Sequence, residues 1–252
     1  MISFFRKIRQ KLISHLPAGK AGNQVTRYFI YALGEIFLVV IGILIALQVN
    51  NWNQERLEKR KSKEFHQRLS NDLDQIIRFL VGIEEYSSLV ANQLDEAVEL
   101  LESGKFNDSN KQILDFAFGN YFRLSRHLPE LSAYEEMKSS GQLGLIYNLE
   151  LREELSKYIT QQKLVSTIYE DLNEKVNQTT FMDPYLKFEA GGSVTENAFS
   201  YDFSKIQQDR VVINTLSRYA FHWKSKSSFS RSLQNQATQL HELIQKEIDT
   251  SL

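Results

Sequence analysis

The sequence predicts an all-α protein in which a single N-terminal transmembrane helix is followed by an antiparallel helical bundle. Three observations carry that expectation. A run of about 22 apolar residues with one charge stands near the N-terminus, long enough to cross a bilayer. Three later segments repeat apolar residues at spacings of three and four, the period of a helix face. Helix breakers are scarce, with 3 prolines and 11 glycines in 252 residues, and Pro17, Pro129 and Pro184 fall where the apolar pattern pauses. The organisation that follows is a basic segment over 1–27, a spanning helix over 28–49 and a water-facing bundle over 50–252.

The opening stretch MISFFRKIRQKLISHL sets Phe4, Ile8, Leu12 and Leu16 on one helical stripe, with Arg6, Lys7, Arg9 and Lys11 off it. It fits an interfacial helix whose four cations face anionic lipid. A basic tail that only sets topology fits the same residues. Pro17, Gly19 and Gly22 separate it from what comes next.

From Tyr28 to Val49 the chain reads YFIYALGEIFLVVIGILIALQV. At about 1.5 Å per residue this helix covers about 33 Å, enough for a hydrocarbon core of about 30 Å. Tyr28 and Tyr31 mark one headgroup layer and Trp52 the other. The basic stretch before it is too long for a cleavable signal, and IALQVNNW offers no small-residue cleavage site. Lys and Arg do not settle direction. Arg6, Lys7, Arg9, Lys11, Lys20 and Arg27 precede the helix, and Arg56, Lys59, Arg60, Lys61, Lys63 and Arg68 follow it. The acid-free N-terminal side favours an N-terminus in the cytoplasm, with the bundle beyond the inner membrane in the periplasm.

Glu35 is an ionisable group within the span, and such a group invites a functional hypothesis. Gly42, Ala46 and Asn50 share its helix face, and a stripe of small and polar residues suits close helix pairing. The four residues therefore form a candidate pairing face. Headgroup contact explains Glu35 equally well.

Beyond Trp52 an apolar stripe runs Phe65, Leu69, Leu73, Ile76, Leu80, Ile83, Val90, Leu94, Ala97 and Leu101, with Ser87 in its gap. The spanning helix is expected to continue into it and to end at Gly104, a C-cap. Asn107, Asp108 and Ser109 open a shorter helix carrying Ile113, Phe116, Phe118, Tyr121 and Phe122. Ser132 and Glu135 suggest a capping box for another, which stops in KSSGQLG. Asn148 caps a long helix with the stripe Leu151, Leu155, Tyr158, Val165, Tyr169, Leu172 and Val176. Residues 179–205 read as an aromatic-rich loop. The last helix carries Val212, Leu216, Tyr219, Trp223, Leu233, Ala237, Leu240, Ile244 and Ile248. Three long and two short helices make a bundle.

Two blocks, YALGEIFLVVIGILIALQVNNWNQER and YEEMKSSGQLGLIYNLELREELSKYI, resemble an uncharacterised family of single-anchor membrane proteins from Bacteroidota. The resemblance implies architecture and habitat. It implies no catalytic residue, since that family has no established activity.

Chemistry finds little purchase. With no cysteine, disulfides, thiolate metal sites and cysteine nucleophiles are excluded. Lys and Arg total 30 against 31 Asp and Glu, and beyond the anchor the two signs alternate, so nucleic acid is not an expected partner. His15, His66, His127, His222 and His241 are scattered, and Gln245 stands where a zinc helix starting at His241 would need histidine. Ser139-Ser140-Gly141 is a turn between helices and lacks the strand before it that a nucleophile elbow needs. No catalytic residue, cofactor or metal is expected. Phe181, Tyr185, Phe188, Phe199, Tyr201 and Phe203 crowd one loop, and Tyr185, Phe188 and Tyr201 are candidates for a partner surface because aromatic residues dominate interface energetics. The leading expectation is a membrane-anchored interaction, scaffold or sensor module of the cell envelope. Membrane lipid and a protein partner or second copy are its expected partners. The alternative is an accessory subunit of a transporter or pump that uses Glu35.

Overall fold

A computed structural model describes residues 24–123, 128–177, 180–188 and 199–250. The chain divides into two compact units, Met1–Glu58 and Lys59–Leu252. The first helix, α1 (Gln24–Ser103), has the expected end: Gly104 takes a left-handed φ of +66°, and its N–H donates to the Leu100 carbonyl at 3.0 Å.

In the first unit the helix from Leu33 to Val49 has no buried residue, and its Leu, Ile, Val and Phe side chains stand exposed except the half-exposed Ile41. Among the described residues, α1 is the one helix long and apolar enough to cross a membrane.

The second unit is a helical bundle. All ten apolar positions expected on α1, Phe65 through Leu101, are buried, and Ser87 in their gap is buried as well. Helix α2 (Lys111–Asn120) follows, then α3 (Ser132–Ser139), a 3-10 turn (Leu143–Leu145), the long α4 (Leu149–Asn177) and a two-stranded hairpin. In the hairpin β1 (Leu186–Phe188) pairs antiparallel with β2 (Phe199–Tyr201), Leu186 opposite Tyr201 and Phe188 opposite Phe199. The short α5 (Phe203–Ile206) and the long α6 (Arg210–Thr250) complete the unit. Among the described residues, the aromatic-rich loop expected over 179–205 thus holds two paired strands and the start of α5, because the alternation about Leu186 is too short to stand out against the surrounding polar residues.

Helix direction can be read from cross-helix pairs. Between α1 and α6, Ser70 meets His241, Glu84 meets Arg231, Ser88 meets Ser227 and Asp95 meets Lys224, so numbers rise on one helix as they fall on the other. Between α4 and α6, Asn148 meets Glu247 and Tyr169 meets Ser230 in the same sense. Helix α6 is therefore antiparallel to both partners, and α1 and α4 run parallel to each other. The segment between them carries the chain back along the bundle.

Helix α3 shows how that return is fixed. Its N-cap is Leu131 without a side-chain cap, so the expected box of Ser132 and Glu135 does not form. Asp72 of α1 does the work from another helix. Its Oδ2 accepts from Ala133 N at 2.8 Å and from Ser132 Oγ at 2.9 Å, and Arg68 pairs with Glu136 one turn on. A carboxylate at a helix start satisfies free N–H groups and suits the dipole, whichever element supplies it. The Asn148 cap of α4 does form, its Oδ1 accepting from Leu151 N at 3.2 Å.

Two apolar cores result. One gathers Phe65–Ile83 of α1, Leu131, Met137, Ile146, Leu151–Tyr169 of α4 and Leu233–Ile244 of α6. The other gathers Val90–Leu101 of α1, Leu114–Tyr121, Met182, Leu186, Ile206 and Val212–Trp223 of α6. Each fully buried Leu or Ile contributes about 1.5–3 kcal/mol, so the two cores hold the unit together.

Candidate functional site

Arg6, Lys7, Arg9 and Lys11, expected at a membrane surface, lie outside the described residues. The expected pairing face is described: Glu35, Gly42, Ala46 and Asn50 are all exposed. A Cβ added at Gly34 or Gly42 would meet no described atom within 4 Å. The exposed apolar residues continue around the helix through Ile36, Phe37, Val40, Ile43 and Leu47, so the surface is apolar on every side with one polar-small stripe.

The three aromatic candidates on the hairpin separate. Phe188 is exposed, at 64% of its free area. Tyr185 and Tyr201 are half-buried against the second core. The Tyr201 hydroxyl donates to Asp115 Oδ1 at 2.9 Å, and its ring meets Phe118 edge-on with centroids 5.1 Å apart. Burial and that carboxylate acceptor both hold its phenol proton, pushing the pKa up. Tyr185 donates to Asp209, which also pushes its phenol up and its partner carboxylate down. These two tyrosines close the core of the bundle; Phe188 alone of the three is exposed, its ring edge-on to Phe199 with centroids 6.0 Å apart.

Between the two cores lies a polar layer. On α6 the apolar stripe breaks between Trp223 and Leu233, and the inward positions are Lys226, Ser227 and Ser230, all buried. On α1 the matching break is Ser87, whose buried hydroxyl has no hydrogen-bond partner among the described residues. Tyr169 of α4 reaches in, its hydroxyl donating to the Lys226 carbonyl at 3.0 Å and lying 2.9 Å from Ser230 Oγ. Lys226, 2% exposed, holds its Nζ 5.0 Å from the Tyr169 ring centre and 5.1 Å from that of Trp223. The nearby acids of α1 are taken: Glu84 by Arg231 and Asp95 by Lys224. Burial alone pushes the ammonium down to about 8, so it stays charged at neutral pH.

Lys226 and Ser87 line a cleft of about 620 Å³ with Arg78, Phe79, Gly82, Ile83, Tyr86 and Arg123. The sequence carried a trace of this layer in two stripe interruptions, one at Ser87 and one between Trp223 and Leu233. A skipped turn normally marks a solvated residue, and only packing turned these inward.

One grouping invites a catalytic reading and declines it. Ser70 Oγ lies 2.9 Å from His241 Nε2, and Asp74 Oδ1 lies 3.4 Å from the same nitrogen. A nucleophilic relay needs serine and carboxylate on opposite ring nitrogens. Gln245 also donates to Ser70 Oγ at 2.6 Å. Among the described residues no group of three metal-ligating side chains converges.

Fold and surfaces together define a mostly helical protein whose one long apolar helix is a candidate transmembrane span. A model of a family of unknown function, DUF6090, matches residues 35–180, and the chain belongs to that family. The match starts at Glu35 and takes in the cored part of α1, then α2, α3 and α4, ending before the hairpin and α6. No curated protein and no solved structure matches the chain.

Proposed function

We propose that the protein is a membrane-anchored helical interaction module of the cell envelope, held by Tyr28–Val49 and docking a partner through its helices. The observation that carries this reading is a contrast along α1. From Leu33 to Val49 its apolar side chains are exposed, all but the half-exposed Ile41, whereas from Phe65 to Leu101 its apolar stripe is buried. Such a continuous exposed apolar surface is too costly to leave in water, and its length suits a bilayer. Within the bilayer the Glu35, Gly42, Ala46 and Asn50 face pairs α1 with a second copy or a partner helix. The bundle stands on the periplasmic side, and the architecture accords with single-anchor proteins of the Bacteroidota type.

The test is flotation of the full chain with liposomes after alkaline wash, followed by crosslinking in the native membrane. Wild type floats, and a chain with Val39, Val40 and Leu44 each changed to Lys stays at the bottom. Gly42→Leu floats but loses the crosslinked species. A wild-type chain washed free of lipid overturns the anchor; unchanged crosslinking in Gly42→Leu overturns the pairing face. Digestion of the bundle by protease added outside spheroplasts supports the orientation, and protection reverses it.

A further inference from the structure

The polar layer between the two cores asks for something the described residues do not supply. A buried ammonium is costly unless an anion or several acceptors compensate it. Lys226 has two aromatic faces and no carboxylate; Glu84 and Asp95 are held by Arg231 and Lys224. Ser87 is wholly buried with a free hydroxyl. Both side chains line one cleft, and Arg78 and Arg123 on its walls add two further cations. The remaining walls are apolar: Phe79, Ile83 and the ring of Tyr86. Gly82 is an exposed position on the cleft wall, where an added Cβ would meet no described atom within 4 Å.

We propose that this cleft binds a small amphipathic anion, its carboxylate or phosphate head against Lys226, Arg78 and Arg123, and its apolar body against Phe79, Ile83 and Tyr86. The volume is that of small-molecule pockets, in which mostly apolar walls meet a few polar groups that set orientation. A charge-assisted hydrogen bond to the head would compensate the buried Lys226 ammonium. The site is independent of how the protein meets the membrane.

The experiment uses the full chain in nanodiscs of zwitterionic lipid, titrated calorimetrically with 2-naphthoate, uncharged 2-naphthamide and inorganic phosphate, with empty discs subtracted. The expected result is saturable one-to-one binding of 2-naphthoate. The amide and phosphate should each bind about tenfold more weakly or worse, one lacking the charge and the other the apolar body. Lys226→Met should weaken 2-naphthoate by about tenfold or more. Gly82→Leu should weaken it by adding a side chain on the cleft wall, with circular dichroism unchanged in both variants. Without ligand, Lys226→Met should melt higher than wild type, because an uncompensated buried charge is gone. A lower melting point would make Lys226 a structural cation held by its two rings and would overturn the proposal. So would absent or non-saturable binding of 2-naphthoate, or equal affinity for acid and amide. Binding of phosphate as tight as 2-naphthoate would overturn the amphipathic class, and undiminished binding in Lys226→Met would overturn the site.

Discussion

The two cores of the bundle are built on opposite plans. The core around Leu69, Leu155 and Leu240 is mostly aliphatic and is supplied chiefly by three long helices meeting side by side. The core around Trp223 is rich in aromatic rings and is assembled from α1, α2, the hairpin, α5 and α6. Tyr121 stacks on Tyr219 at 5.5 Å, Phe106 on Phe203 at 4.4 Å, and Trp223 donates its indole N–H to the Tyr121 carbonyl at 3.0 Å. Long helices fill a core by repetition. Short segments fill one with a few large rings, each bringing area and directional edge-to-face contact.

The largest expected effect sharpens that contrast. Trp223→Ala should destabilise the bundle by about 3–5 kcal/mol, and Leu73→Ala by about 2–5 kcal/mol, read from urea unfolding. Hydrogen exchange then separates the plans. Trp223→Ala should release amides of Lys111–Asn120 while those of Leu69–Leu80 stay protected; equal release at both ends would make the cores one cooperative unit.

The layer between the cores predicts a pH profile. Unfolded lysine titrates near its ordinary value of 10.5, while burial holds Lys226 at about 8. Between those values the unfolded chain binds the extra proton, so stability rises with pH, by on the order of 2 kcal/mol from pH 8 to 10. The groups facing Lys226 are Tyr169 of α4, Trp223 of its own helix, Arg78 and Tyr86 of α1, and Arg123 after α2. Above pH 10 the slope reverses. Buried Tyr121 and Tyr169, pushed up to about 12, keep protons that the unfolded chain has lost. Thermal melts from pH 7 to 11 should show that maximum, and Lys226→Met should abolish the rise before it.

Two smaller changes probe each end. Asp72→Ala removes the cap that α1 lends to α3 and should cost about 1 kcal/mol, with Ser132→Ala costing less because Asp72 also binds Ala133 N. On the aromatic end, Tyr201→Phe loses the bond to Asp115 and should cost about 1 kcal/mol. Phe188→Ser should stay within about 0.5 kcal/mol, and a larger loss would show that its ring seals the hairpin.

How much was legible in the sequence follows the same division. The aliphatic core could be read residue by residue from Phe65 to Ile83, from Leu151 to Tyr169 and from Leu233 to Ile244, because a long helix repeats its buried face every three or four residues. The aromatic core was legible only in its two long-helix stripes, Val90 to Leu101 and Val212 to Trp223, and not in what the hairpin adds. Tyr201 lies far along the chain from Asp115 and Phe118, and no local period announces their meeting. The cap of α3 was misread for a similar reason: Ser132 and Glu135 have the right spacing, but a carboxylate sixty residues earlier arrives first. Lys226 was passed over because a lysine in a stripe gap ordinarily means solvent.

The antiparallel seat of α6 also sets the order in which the chain becomes safe as it is made. The stripe of α1 from Phe65 to Leu101 emerges early, but its partners Trp223, Leu233 and Ile244 are near the end. At about 5–20 residues per second the stripe stays uncovered for on the order of ten seconds or more. During that interval a neighbouring nascent copy or a chaperone could cover it. A ribosome that stalls before Arg210 would leave both cores open, and the unfinished chain would be a substrate for proteolysis.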